Sequence, residues 1–324
     1  MNLKNQPIYV AGHTGMVGSA VIRQLEARGY TNVIRATSAQ LDLRNQKAVR
    51  NFFHTNKPKS VVVAAATVGG IQANNAFKGD FIYNNLQIQT NIIQAAKETR
   101  VKKLIFLGSS CIYPKEASQP IIEESLLTGP LEPTNEPYAI AKIAGLKLCE
   151  SFYHQHQCNF YSLMPCNLYG INDNFDLNSS HVLPALLRKF HTARINGQDE
   201  VEVWGSGKPR REFLLVDDLA STITHCLENI DAQQIYSKNI SHLNVGSGID
   251  ISIKDLAHKI AKITEFQGSI KFNPSQPDGT LRKLMDISRL KELNLPMATP
   301  LEEGLTSTYE WFKNNYESAK GIGE

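Results

Sequence analysis

The stretch PIYVAGHTGMVGSAV, residues 7–21, decides the fold. Its first five residues make a strand-length apolar run, and Gly12, Gly15 and Gly18 then stand three apart as a helical pattern opens. Glycines at that spacing let the backbone turn tightly, approach a pyrophosphate closely and aim free helix N–H groups at it. The strand–turn–helix context makes this a predicted dinucleotide site rather than an ordinary glycine turn. His13, inside the turn, reads as a structural residue of it.

Working outward, apolar strand patterns recur at 7–11, 32–36, 59–65, 103–108 and 160–165, with helical patterns between them at about 15–29, 43–54, 82–99 and 137–155. This β-α-β alternation predicts an α/β fold, a Rossmann-type doubly wound parallel sheet. From about residue 171 the alternation lapses into polar loops, which predicts a smaller mixed α/β C-terminal lobe. There Ser252, followed by Asp255, reads as the cap of a helix. The pattern of REFLLVDDLASTITHCLENI, 211–230, is expected to return to the first sheet. The expected division is therefore 1–170, rejoined by about 211–240, as the cofactor domain, with 171–210 and 241–324 as the substrate domain.

Composition narrows the function. The 324 residues are 42% hydrophobic and 20% charged with a formal charge of +3, the balance of a globular chain with a large core. Without a Lys/Arg block, neither nucleic acid nor a membrane surface is an expected partner; an anionic small molecule is compatible. The N-terminal run is too short for a signal peptide and no apolar stretch is long enough to span a bilayer, so a cytoplasmic location is expected. Five cysteines without a CxxC pair predict reduced thiols, no disulfide framework and no metal site.

Cofactor choice turns on the end of the second strand, VIRATS, which carries Arg35 and no acid. A base there accepts a 2′-phosphate, so NADPH is expected over NADH. Asp42, later in QLDL, serves either the adenine edge or a helix cap. In EPYAIAKIAG, 136–145, Tyr138 and Lys142 are four apart on one helix face. The ammonium is expected to favour the phenolate, and with Ser109 at the fourth strand end the three grip a carbonyl or carbinol oxygen. Cys111, in GSSCIYP (108–114), is by residue type alone either core packing or chemistry. His181 in NSSHVLP (178–184) is likewise either a loop hydrogen-bonder or a catalyst.

These motifs, with RREFLLVDD (210–218) and NVGSG (244–248), resemble the extended short-chain dehydrogenase/reductase family across nearly the whole chain. Within it, VGGIQANN, LGSSCIYP, LEPTNEPYAIAKIAG, DNF and SHVLPALL are similar to members that epimerise C3 and C5 of GDP-4-keto-6-deoxy-D-mannose and reduce its C4 ketone to give GDP-L-fucose. The resemblance implies Ser109, Cys111, Tyr138, Lys142 and His181 as catalytic residues, with Cys111 and His181 an acid/base pair. It implies a cofactor site of Gly12, His13, Thr14, Gly15, Met16, Val17, Gly18, Arg35, Asp42, Leu107, Gly108, Pro165, Asn167 and Leu168, with Tyr138, Lys142 and His181 beside them. It places the GDP sugar against Asn167, Lys189, Trp204, Arg211, Asp278 and Lys283, and implies a homodimer. Cys166, Ile171, Asn172 and Lys189 depart from the pattern common in such members, which keeps two other readings in play: a related GDP-4-keto sugar, or a non-catalytic dinucleotide sensor.

Overall fold

The computed structural model describes residues 3–276 and 278–322. Its strands are β1 (Ile8–Ala11), β2 (Val33–Ile34), β3 (Ser60–Val63), β4 (Lys103–Leu107), β5 (Phe160–Pro165), β6 (Asn167–Tyr169), β7 (Glu200–Trp204), β8 (Arg210–Leu215), β9 (Leu243–Val245), β10 (Asp250–Ser252), β11 (Ser269–Asn273) and β12 (Arg282–Lys283). Six of them form one parallel sheet in the order β2-β1-β3-β4-β5-β9. Its central strands β1, β3 and β5 are buried along their whole length, which is why they read as unbroken apolar runs.

The helices are α1 (Met16–Ala27), α2 (Gln46–Asn56), α3 (Ile71–Ala76), α4 (Lys78–Glu98), α5 (Glu136–His156), α6 (Val182–Ile195), α7 (Val216–Asn229), α8 (Ala232–Tyr236), α9 (Ile253–Ile263), α10 (Ser288–Glu292) and α11 (Leu301–Asn314). Helix α1 packs on α7, while α4 lies along α5 and against α2. The chain crosses from β1 outward to β2 and, in the other direction, from β3 to β4, so the sheet is doubly wound with its switch point between β1 and β3. Ligands of such sheets bind beyond the carboxyl ends of the strands at that point.

A second core, built on Tyr169, Phe190, Phe213, Leu256 and Phe312, lies beneath a smaller sheet. There β8 pairs with β6 and β12 in parallel and β10 antiparallel, and β7 pairs with β11. Ser252 Oγ accepts the Asp255 N–H at 3.0 Å and caps α9.

One expectation is corrected. The strand of 211–230 does not extend the first sheet: β8 belongs to the smaller sheet, α7 returns to pack on α1, and the sixth strand is β9. The reason is chemical. β8 opens Arg-Arg-Glu, unsuited to a slot buried on both faces, whereas β9 is Leu-Asn-Val and buried. Met285, Ile287, Leu290 and Leu295 also join the first core, so the chain after residue 241 is shared between the two cores.

Candidate active site

The carboxyl ends of β1, β3 and β4 build one end of the cleft. Gly12 follows β1 with φ +83°, and a Cβ there would lie 2.7 Å from the Ala65 nitrogen beyond β3. A Cβ on Gly18 would lie 2.0 Å from the Gly12 oxygen, so α1 reaches the turn only because that position has no side chain. Gly15 is the N-cap of α1 and makes no side-chain capping bond. The turn thus brings the N-terminus of α1 close to the end of β1 with no side chain at positions 12, 15 and 18, the arrangement a pyrophosphate cradle requires.

Two arginines follow β2, each paired with a carboxylate. Arg35 is exposed and pairs with Glu26, and its charge, after burial, lowers the His13 pKa, which places the imidazole within its field. His13 Nδ1 is buried without a partner. Asp42 is engaged by Arg44 through two bonds of 3.0 Å, which hold its carboxyl below the usual range. Of the two expected uses of Asp42, the helix cap is not the one found. The cap of α2 is Asn45, which accepts the Ala48 N–H, and the Asp42 carboxylate is already satisfied by a guanidinium. Arg44, two residues beyond Asp42 and not singled out in the sequence, is the exposed partner of that carboxylate.

At the end of β4, Ser109 is extended and its Oγ accepts the Cys111 N–H at 3.4 Å, capping the short turn Ser110–Ile112. Helix α5 brings Tyr138 and Lys142 to the same strand end. Lys142 is buried, donates to the Leu107 carbonyl at 2.8 Å, and sits 4.9 Å above the Phe106 ring and 5.8 Å from the centroid of Tyr138. Burial brings its pKa down to about 8. Phe81 of α4 meets Tyr138 edge-on at 6.4 Å, a wall residue that no motif announced.

Here the structure revises the expected electrostatics. Burial raises the Tyr138 pKa, and the neighbouring Cys111 raises it further. The ammonium is bonded to a backbone carbonyl rather than to the phenol, so desolvation outweighs it. Both shifts favour the protonated phenol over the phenolate.

Cys111 is 6% exposed, but its surroundings are not those of a core residue. Burial raises its pKa, opposed first by the charge of Lys283, then by Ser109 and by the charge of Lys142. Lys283 pairs in register with Arg211 across β12 and β8, and these two cations disfavour each other's charge. Arg211 is further influenced by Asp278, which accepts the Ser206 N–H at 2.6 Å and the Ser206 hydroxyl at 2.7 Å. Thus Ser109, Cys111, Tyr138, Lys142, Lys283, Arg211 and Asp278 form one electrostatically connected cluster.

His181 stands at the N-cap position of α6 without a side-chain capping bond, at the end of a loop that docks on the first domain through Gly70 N–H to Ser179 O at 2.9 Å. The docked segment runs into α3 and α4, the helix that supplies Phe81. Solvent reaches the imidazole, yet surrounding protein lowers its pKa by desolvation, as expected for a side chain in a cleft. No charge from Cys111 contributes to that shift.

Farther along, Trp204 is 44% exposed at the end of β7, with Lys189 Nζ 5.0 Å above its ring. Asn167 donates to the Glu212 carbonyl at 2.9 Å, which ties the strand after β5 to β8. Arg210, beside Arg211 on β8, is engaged elsewhere, because Asp250 binds both it and Arg282.

The NAD dependent epimerase/dehydratase family matches residues 8–246, from the first strand through β9. The chain belongs to this family. It is 53% identical to "Putative GDP-L-fucose synthase 2" of Arabidopsis thaliana over 317 residues, 98% of this chain and 94% of that one. It is 51% identical to "GDP-L-fucose synthase" of Escherichia coli K12 over 323 residues, 98% of this chain and all of that one. Among solved structures it superposes with a TM-score of 0.88 on "MlghC, GDP-mannoheptose C4 reductase from Campylobacter jejuni with NADP bound". That pair is 41% identical, covering 97% of this chain and 100% of the other.

Proposed function

We propose that this family member is an NADPH-dependent epimerase/reductase that inverts C3 and C5 of GDP-4-keto-6-deoxy-D-mannose and reduces C4, giving GDP-L-fucose. The observation that carries the reading is a thiol, Cys111, sharing one strand end and one electrostatic cluster with a Ser–Tyr–Lys set. A plain ketoreductase needs only the latter. Identity above 50% along the whole chain to proteins named for this product supports it.

The cradle around Gly12, Gly15 and Gly18 and the cations Arg35 and Arg44 fit a dinucleotide carrying a 2′-phosphate. When bound, NADPH supplies the hydride that reduces the C4 ketone. Ser109 and Tyr138 bond the C4 oxygen, which acidifies the hydrogens on C3 and C5 by stabilising the enolate. Of Cys111 and His181, the unprotonated member takes the carbon-bound proton and the other returns one to the opposite face. Between the two inversions the member that took a proton loses it to water and the member that gave one regains it from water, so both return to their starting states. Tyr138 finally donates its proton to the C4 oxygen, and Lys142 stabilises the charge left on the phenol.

The cationic end of the cleft suits the rest of the substrate. Arg211, Lys283 and Lys189 face the diphosphate, Trp204 offers the base a stacking surface, and Asn167 and Asp278 complete the wall. We accordingly assign the six-stranded sheet with its helices to the cofactor, and the smaller sheet to the nucleotide sugar. Two copies pair through α4 and α5, whose outer faces leave Tyr83 and Ile140 62% and 43% exposed. The setting is cytoplasmic; no described helix is long and apolar enough to cross a membrane.

A second reading, reduction of a GDP-4-keto-heptose, draws on the likeness to the Campylobacter reductase. Incubation with GDP-4-keto-6-deoxy-D-mannose and NADPH separates the two. NMR of the product is expected to give the proton couplings of the L-galacto ring, and failure to consume this substrate while a GDP-4-keto-heptose is reduced overturns the assignment.

A further inference from the structure

The segment NVGSG opens with Asn244, in the middle of β9, fully buried and outside the cluster just described. Every polar group of its side chain is bonded, and the bonds go in two directions. Its Oδ1 accepts the Tyr113 hydroxyl, and its Nδ2 donates to the Ile121 carbonyl at 3.0 Å and to the Asp286 carbonyl at 3.2 Å. Its backbone N–H donates to Glu123 at 3.1 Å. Tyr113, Ile121 and Glu123 belong to the loop that leaves β4 through Ser109 and Cys111. Asp286 belongs to the strip that begins at Lys283.

Tyr113 ends the turn that holds Cys111, so pinning its hydroxyl pins the thiol two residues earlier. His242 reinforces the pin, its Nε2 lying 2.6 Å from the same hydroxyl. The strip after Lys283 is stitched to the same loop by Ile121 N–H to Leu284 O and Asp286 N–H to Ile121 O, both 2.8 Å. One buried amide therefore spans the two segments whose separation sets how strongly the Lys283 charge acts on Cys111.

We propose that Asn244 is a positioning residue that fixes the Cys111 loop against the Lys283 strip, and so sets the geometry of the epimerising thiol. The functional consequence rests on the epimerase reading above; the geometric one does not. An amide is required because its two ends do opposite things, accepting from a phenol and donating to two carbonyls. A carboxylate of the same shape accepts from Tyr113 but faces the two carbonyls with lone pairs.

The test uses Asn244→Asp and Tyr113→Phe, the second removing only the phenol arm. The pH dependence of Cys111 alkylation by iodoacetamide, read by mass spectrometry of its peptide, reports the Lys283–thiol separation without any substrate. It is expected to shift to higher pH in Asn244→Asp and by less in Tyr113→Phe. Exchange of substrate C3 and C5 hydrogens with deuterated water is expected to fall about 10²-fold in Asn244→Asp. NADPH affinity stays within about twofold, because the cradle at Gly12 is untouched. Should Asn244→Asp not fold, Tyr113→Phe carries the test alone. Unchanged alkylation profiles in the folded variants overturn the inference, as does a loss of exchange that only parallels a loss of folded protein. A parent enzyme that never exchanges C3 and C5, together with shifted alkylation profiles, instead sinks the epimerase reading and leaves the positioning role standing.

Discussion

Burial acts on each proton-handling group of the cleft, and the directions fix their states at neutral pH. Tyr138 and Cys111 are pushed up and stay protonated, while His181 is pushed down and stays neutral. On the roles proposed above, Cys111 then carries a proton to give and His181 has a free site to take one, the count that a single inversion requires. Exchange is expected to fall on acidification only below the ordinary imidazole value of 6.5, and to decline in alkali from about pH 8, where Lys142 loses its charge. A pH–rate profile of deuterium incorporation checks this, and an acid limb above 6.5 contradicts it. Replacing Cys111 by serine removes the ionisable group but little volume. The Cys111→Ser enzyme is expected to lose about 10²- to 10⁴-fold in exchange while titrating NADPH fluorescence as the parent does. Much of this was legible in the sequence, because Tyr138 and Lys142 are local on one helix and Ser109 and Cys111 share one turn. The Tyr138 protonation state was not, since it depends on desolvation by segments far away in the chain.

At the scale of elements, the β1–α1 turn is the part most tightly specified by residue identity. A methyl at position 18 must displace the Gly12 carbonyl, so Gly18→Ala is expected to cost about 1–3 kcal/mol of stability and to weaken NADPH binding more than tenfold. Thermal melts and a cofactor titration measure both, and an unperturbed variant removes the argument for the cradle. The first five strands and helices α1, α2, α4, α5, α7 and α9 were legible as apolar patterns, whereas α6 and α11 of the second core were not read. β9 did not, for three residues carry no period, and its place beside β5 depends on the Leu243–Leu163 register. Asn244 was equally illegible. Its side-chain partners Tyr113 and Ile121 lie 131 and 123 positions away, a separation no local pattern reports.

Across the whole molecule, the six-stranded and four-stranded sheets contribute the two sides of the seam to which the chemistry is assigned. The larger sheet brings the glycine cradle, Ser109, Cys111 and Tyr138; the smaller brings Arg211 and Lys283. Glu212 binds the seam from within, accepting the Gly248 N–H at 2.6 Å and the Met285 N–H at 3.0 Å. If α4 and α5 form the contact between copies, a Tyr83→Glu/Ile140→Glu variant is expected to elute as a monomer where the parent is a dimer, as light scattering measures. An unchanged mass would place the contact elsewhere. The central claim is that one cleft epimerises before it reduces, and the direct measurement is turnover of GDP-4-keto-6-deoxy-D-mannose with NADPH in deuterated water, followed by NMR of the product. Deuterium at both C3 and C5 of GDP-L-fucose is the predicted result. A reduced sugar with protium at both carbons and the manno configuration retained at C3 and C5 would contradict it.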